Sequence, residues 1–170
     1  MKKPVRRRPA VPVARNGARP PRISIVIEEP LWREDKAALR LIRRAVRLAL
    51  ARSPKAVAIL LAGDKRLRTL NAAFRRRDKP TNVLSFPASP HVGAYLGDVA
   101  IAYGVVSREA HAQGKSFAAH AAHLAIHGVL HLLGLDHEKA NEARLMEQRE
   151  IDLLAQLGIG DPYTTGGKAA

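Results

Sequence analysis

The chain of 170 residues contains no cysteine. Disulfide bonds, zinc ribbons and thiolate nucleophiles are therefore excluded, and the composition fits a reducing compartment. Any transition metal must then be held by histidine and carboxylate side chains. At this length a single domain buries enough apolar surface to fold without covalent cross-links.

Acidic residues are scarce, since 15 Asp and Glu stand against 29 Lys and Arg, giving a formal net charge of +14. This balance favours a polyanionic partner such as nucleic acid or an anionic membrane. Residues 1–22 contain eight basic side chains and no acidic one, and they lack apolar periodicity. We therefore predict a disordered basic tail over residues 1–22. The tail is either a solvated segment without a specific role or an electrostatic attachment to RNA.

The sequence also predicts no targeting segment and no membrane-spanning segment. The apolar run at residues 11–14 is too short for a signal peptide, and residues 1–22 lack the serine typical of a transit peptide. The most apolar stretch, residues 116–133, contains four histidines, which are costly in hydrocarbon. We predict a buried core helix there and a cytoplasmic protein without membrane attachment.

The chain alternates apolar runs with turn-forming residues. β-Branched and apolar runs predict four strands, at residues 22–28, 56–62, 82–86 and 97–103. Helical periodicity predicts five helices, at residues 34–52, 64–74 (capped by Asp64), 106–113, 116–133 and 138–157. This order predicts an α+β fold, an α/β sandwich in which a mixed sheet of about four strands packs against several helices. The domain is expected over residues 23–163, followed by a second disordered tail at residues 164–170.

The first long predicted helix has a basic stripe. Lys36, Arg40, Arg43 and Arg47 are spaced by four, three and four residues, which puts them on one helix face. Such a stripe is most often a solvated surface, and the alternative is a ridge that faces RNA.

The long apolar helix carries the most specific pattern in the chain. His127 and His131 are four residues apart, so both imidazoles project from one helix face and can reach one ion. Gly134 follows the last turn, where a left-handed residue ends a helix at low cost and lets the chain return His137 to the same ion. Three histidines leave the fourth position of a tetrahedral zinc open, as in catalytic sites. We predict one Zn²⁺ per chain, bound by His127, His131 and His137, in preference to three hydrogen-bonded core histidines.

This histidine spacing also occurs in metzincin proteases, which place a glutamate directly after the first histidine as the general base. Here that position is Gly128. The metal ligands are kept and the peptidase base is absent, which argues against proteolysis.

The segment at residues 127–137, HGVLHLLGLDH, resembles the signature of the YbeY-type rRNA maturation endoribonucleases of bacteria. Further segments resemble that family in the same order: Leu70, Asn71, Phe74 and Arg75, then residues 78–87 (DKPTNVLSFP), residues 96–99 (LGDV), His120 with His123, and residues 161–163 (DPY). The similarity covers about residues 23–163, and the basic tail is not part of the family pattern.

The resemblance implies a metal-dependent, single-strand-specific endoribonuclease. The implied roles are maturation of the 3′ end of small-subunit (16S) rRNA, processing of other rRNA precursors, and ribosome quality control. RNA and ribosome or small-subunit proteins are the implied partners. The resemblance also implies that His127, His131 and His137 are zinc ligands and that Arg75 is a required arginine. Two alternatives stay open, a non-catalytic zinc-containing ribosome assembly factor and a zinc hydrolase of another substrate.

Two further residues are candidates for the chemistry. A guanidinium binds phosphate oxygens bidentately and stabilises charge that develops on phosphorus. Arg75 fits that role if its loop faces the metal, and the alternative is one more solvated arginine in a basic loop. Asp136 adjoins His137 and could orient a ligand imidazole, shape the turn, or act as an acid or base, in that order of preference. His120 and His123 lie on the ligand side of the same helix, either along an RNA groove or as partly buried, hydrogen-bonded histidines.

Overall fold

The structure, a computed structural model, describes residues 22–51, 53–136 and 139–164. Its strands are β1 (Ile23–Ile27), β2 (Ala56–Ala62), β3 (Val83–Pro87) and β4 (Tyr95–Ala102). Its helices are α1 (Leu31–Glu34), α2 (Lys36–Leu50), α3 (Asp64–Arg75), α4 (Tyr103–Ala112), α5 (Phe117–Leu132) and α6 (Ala140–Ala155), with a 3₁₀ turn at Pro90–Val92. The predicted α+β fold class is confirmed.

The four strands form one mixed sheet in the order β1-β2-β4-β3. Strands β1, β2 and β4 are parallel, and β3 pairs antiparallel with β4. Strands β1 and β3 are therefore the two edges of this sheet.

Helices cover both faces of the sheet. The larger core lies between one face and helices α2 and α5, and its strand residues are Val57, Ile59, Leu61, Leu96, Val99 and Ile101. The opposite face carries a smaller core, which consists of Ala62, Leu67, Leu84, Ala100 and Ala102. Because Leu67 belongs to α3, helices α3 and α5 lie on opposite faces of the sheet.

Helix α5 is the predicted core helix. The Ser116 hydroxyl accepts a hydrogen bond from the backbone N–H of Ala119 at 3.1 Å, which caps its first turn. Gly134, with φ +91°, ends it as predicted, and the Leu135 N–H donates back to the Leu130 carbonyl at 3.0 Å. None of the helices in the described part of the chain is long and apolar enough to cross a membrane.

Some element predictions were wrong in detail. The predicted helix at residues 34–52 is divided into α1 and α2 by Asp35, whose carboxylate accepts from the Ala38 N–H at 2.8 Å and so begins a new helix. Asp64 does not cap α3, because Gly63 is the N-cap residue. The Asp64 carboxylate instead accepts from the Val105 N–H at 2.9 Å and pairs with Arg108 at 2.7 Å.

The predicted tails lie almost wholly outside the described residues. Residues 1–21 and 165–170 are not described, so both tails stay predictions. Arg22 belongs with the sheet, because its carbonyl accepts a hydrogen bond from the Val57 N–H at 3.0 Å.

Candidate active site

Two of the three predicted metal ligands face each other on helix α5. The Nε2 atoms of His127 and His131 lie 3.1 Å apart, and the two ring centroids are 4.6 Å apart at nearly right angles. This is the shared helix face that a spacing of four residues predicts. The third predicted ligand, His137, lies outside the described residues.

Behind these histidines lies Glu150 of helix α6, which has no exposed surface. Its Oε1 is 2.8 Å from His127 Nδ1, and its Oε2 is 2.6 Å from His123 Nε2. The hydroxyl of Tyr163 also donates to Oε2. Burial by itself raises the pKa of Glu150, but the hydrogen bonds from His123, His127 and Tyr163 outweigh it and lower the pKa to about 2. The carboxylate is therefore ionised at neutral pH.

The segment after α6, residues 161–163, packs against this network. Burial, followed by the hydrogen bond to Glu150, raises the pKa of Tyr163, so its phenol stays protonated and donates. The Tyr163 N–H bonds the Asp161 carboxylate at 2.8 Å, and Lys115 Nζ donates to the Pro162 carbonyl at 2.6 Å. These contacts hold the segment at residues 161–163 against the histidines.

The donor set fits a zinc ion. Because an ionised carboxylate only accepts, His127 must donate its Nδ1–H to Glu150, which leaves the Nε2 lone pair for a metal. Two ligands at ~2.0–2.1 Å from a tetrahedral ion lie about 3.3 Å apart, close to the spacing of the two Nε2 atoms. Within the described ranges no group of three or more potential ligands is close enough to hold a metal, so a complete site requires His137 or another ligand outside them.

A wide cleft of about 1160 Å³ opens beside His127. Its polar lining includes Asn82, Glu109, Lys115, His120, His123 and Tyr163. The deepest of these, His120, is 5% exposed and places its Nε2 2.8 Å from Glu109 Oε2. Burial lowers the pKa of His120 more than Glu109 raises it. His120 and His123 are thus largely buried and hydrogen-bonded through Nε2, as one of the two alternatives expects. They also line the cleft, and its role as an RNA groove stays a prediction.

Arg75 and Asp136 lie at the ends of elements. Arg75 is the exposed last residue of α3, on the sheet face opposite to α5. Two contacts hold the loop after it. Asn71 donates to the Lys79 carbonyl at 2.8 Å, and Arg68 donates through Nε and Nη2 to the Asp78 carboxylate at 2.7 and 2.9 Å. Asp136 is exposed in the turn after α5.

Gly128 packs against the sheet. A Cβ at this position would lie 2.5 Å from Val99 Cγ1 and 3.2 Å from Ser85 Oγ, and Ser85 donates to the Gly128 carbonyl at 3.0 Å. A glutamate at this position would meet strand β4. The packing therefore excludes a metzincin-type base at position 128.

Sequence reasoning missed Glu150 altogether and did not assign Tyr163 a role. A signal for Glu150 is present, because it lies in helical register with the apolar residues Met146, Leu153 and Leu154. A carboxylate on the buried face of a helix needs hydrogen-bond donors, and histidines of a neighbouring helix are suitable ones.

Comparisons with known proteins agree with the motif pattern. The family model described as Endoribonuclease YbeY matches residues 28–158. A protein from Rhodopseudomonas palustris (strain ATCC BAA-98 / CGA009), named Endoribonuclease YbeY, is 48% identical over 155 residues, 84% of this chain and 81% of its own length. A protein of the same name from Maricaulis maris is 43% identical over 145 residues, 83% of this chain and 91% of its own length.

A solved structure has the same fold. The solution structure of TM1509 from Thermotoga maritima superposes with a TM-score of 0.52, covering 84% of this chain and 99% of that one. At 22% sequence identity this likeness supports the fold alone.

Proposed function

The chain belongs to the endoribonuclease YbeY family, and we propose that it is a zinc-dependent endoribonuclease that cleaves single-stranded regions of ribosomal RNA precursors. The proposed cellular role is late maturation of the 16S rRNA 3′ end and ribosome quality control in the cytoplasm. Its proposed partners are RNA and ribosome or small-subunit proteins. Family membership does not favour the alternatives, a non-catalytic assembly factor or a hydrolase of another substrate.

One observation carries the catalytic part of the proposal. Two imidazole Nε2 atoms converge at 3.1 Å, and the ring of His127 is held from behind by the ionised Glu150. A carboxylate that orients a ligand histidine in this way is a regular feature of zinc sites in proteins.

His127, His131 and His137 would hold the zinc. When bound, zinc supplies Lewis-acid activation of water at neutral pH and stabilises negative charge on a phosphoryl oxygen. Asp136 adjoins the third ligand, and we assign it the orientation of that imidazole from behind, with acid–base chemistry as the less favoured role.

The cleft beside His127 supplies room and hydrogen-bonding groups for a single strand. Asn82, Lys115 and His120 line it together with the side chains around the proposed zinc ligand. Lys115 adds a cation, and His120, which is 5% exposed, adds a largely buried imidazole. Single-stranded RNA fits such a lined groove because its phosphates and unpaired bases are both accessible.

Arg75 is proposed to bind the scissile phosphate or its neighbour. Only six residues separate it from Asn82, which lines the histidine cleft, and the intervening loop is held in place by Asn71 and Arg68. Strand β3, which follows that loop, is the sheet edge between the two faces. An RNA strand that crosses this edge would contact Arg75 and the cleft together.

The experiment is cleavage of single-stranded RNA by the wild-type chain and by His131→Ala, with zinc content measured on the same samples. We expect His131→Ala to lose both zinc and cleavage, and casein to stay intact with either protein. The matched control is His91→Ala, which removes an exposed histidine and should keep zinc and activity.

Cleavage that survives His131→Ala would assign the activity to a contaminating ribonuclease or to another site. Digestion of casein without cleavage of RNA would show that the chain is a peptidase and would overturn the proposal.

A further inference from the structure

A second basic surface lies at the other edge of the sheet from the histidine cleft. Helix α2 and edge strand β1 form a groove of about 420 Å³. It is lined by Ile25, Ile27, Leu39, Arg40, Arg43, Arg44 and Arg47, and we call it the arginine groove. Helix α5, which carries the histidines, packs against α2, β3 and β4 and contributes none of the residues that line this groove.

The arginines of this groove have no acidic neighbours on their helix. Residues 36–50 contain five basic side chains and no acidic one. In the described part of the chain none of the four groove arginines forms an ion pair, whereas Arg66, Arg68 and Arg108 each pair with a carboxylate at 3.4 Å or less. Like charges spaced by three and four residues on a helix repel each other, and a bound polyanion would relieve this repulsion.

We propose that the arginine groove binds a single-stranded RNA segment outside the part that occupies the histidine cleft. Guanidinium groups bind phosphate oxygens bidentately, and the apolar floor of Ile25, Ile27 and Leu39 offers a surface on which bases are removed from water. The inference rests on the proposed function, since it assigns a second contact to the same RNA. It divides recognition of the strand between the two edges of the sheet.

Charge argues against two other occupants that are near at hand. Residues 1–22 of the chain carry eight basic side chains and no acidic one, so they offer no charge complement to four arginines. A second copy of the chain brings a formal net charge of +14. An acidic protein segment and an anionic membrane remain as competitors, and the test separates them from RNA.

The test compares Arg43→Gln/Arg47→Gln with the control Lys65→Gln/Arg144→Gln, which removes two exposed charges from α3 and α6. Binding is measured by fluorescence anisotropy at several salt concentrations. The probe is single-stranded DNA, which has the same phosphates and is not a ribonuclease substrate. Strands of about 8 and about 30 nucleotides bracket the ~4–16 nucleotides that one single-strand site covers. Steady-state cleavage of RNA of both lengths gives kcat and KM, and circular dichroism confirms folding.

With the long strand, we expect the groove variant to flatten the slope of log Kobs against log salt concentration by about 1.4, because two phosphates are no longer neutralised. KM for long RNA should rise at unchanged kcat, while the short strand binds the groove variant and the control equally. Equal slopes for the two variants with the long strand would overturn the inference. So would groove-dependent binding of a poly-glutamate peptide or of phosphatidylserine vesicles that equals or exceeds binding of the strand.

The experiment distinguishes failure of the proposed function from failure of the arginine-groove proposal. If the wild-type chain cleaves no RNA, the proposed function fails, and the anisotropy slopes still decide whether the groove binds a strand. If RNA is cleaved and the groove variant behaves like its control, only the groove proposal fails.

Discussion

At the scale of single residues, Glu150 connects the fold to the chemistry. A carboxylate without exposed surface is tolerated only when protein donors replace the hydrogen bonds of water. Glu150 has three such donors, on His123, His127 and Tyr163. Because an ionised carboxylate cannot donate, each of the three partners must present a hydrogen to it. One buried charge thus fixes the tautomer of His127.

We expect Glu150→Gln to weaken zinc binding by about 10–100-fold, the usual effect when the partner of a ligand histidine is altered. The amide has nearly the same shape as the carboxylate. Its NH₂ group is a donor, however, and it replaces a carboxylate oxygen that accepts hydrogen bonds from the neighbouring donors. Zinc affinity is measured by competition with a chromogenic chelator.

The matched control is Glu147→Gln, an exposed carboxyl on the same helix, which should leave zinc affinity unchanged. Equal affinity in Glu150→Gln and wild type would show that Glu150 serves the packing of α6 and does not orient His127. Thermal unfolding of both variants separates reduced stability from reduced metal binding.

A substitution at Arg75 tests whether one RNA strand contacts both faces of the sheet. We expect Arg75→Gln to lower kcat by about 10²–10³-fold, the range seen when one group that stabilises transition-state charge is removed. Arg77→Gln, in the loop two residues after Arg75, should mainly raise KM, because a general phosphate contact adds binding without chemistry. Zinc content should be unchanged in both. Equal, small effects of the two substitutions would remove Arg75 from the catalytic machinery.

At the scale of elements, sequence patterns predicted those segments whose local signals agree with their packing. Strand β2 was predicted at residues 56–62 and α5 at residues 116–133, and they span Ala56–Ala62 and Phe117–Leu132. In β2 a continuous apolar run coincides with burial between neighbouring strands. In α5 the capping Ser116 and the terminating Gly134 both lie where the chain needs them.

Other boundaries depend on contacts that no local pattern contains. Asp64 has the residue type of a helix cap, yet its carboxylate bonds Val105 and Arg108, more than forty residues away. Strand β4 continues into α4 without a loop, so the helix predicted at residues 106–113 begins already at Tyr103. The same holds for the site, since the spacing of His127 and His131 is local and the contact of His127 with Glu150 is not.

At the scale of the whole molecule, positive charge is spread over separate surfaces. The arginine groove lies at the β1 edge, Lys115 lies in the cleft, and Arg75 begins a basic loop near the β3 edge. A single strand bound across the molecule would contact these surfaces in succession. Such a distribution favours a long polyanion over a small anionic substrate, because contacts at distant points add only when one ligand spans them.

The residues that precede β1 in the sequence are also strongly basic. We expect deletion of residues 1–21 to leave the domain folded, because these residues have no apolar pattern to bury. Arg22 is retained, since its carbonyl bonds the Val57 N–H in the sheet. Affinity for a long single strand should fall, and the slope of log Kobs against log salt concentration should flatten by about 0.7 for each phosphate that the tail no longer neutralises. When the deletion is combined with Arg43→Gln/Arg47→Gln, the two losses of binding free energy should add if the tail and the groove bind different phosphates. Salt-dependent binding that matches the full-length chain would assign the tail no role in RNA binding, and disappearance of the cooperative thermal transition would show that the tail belongs to the fold.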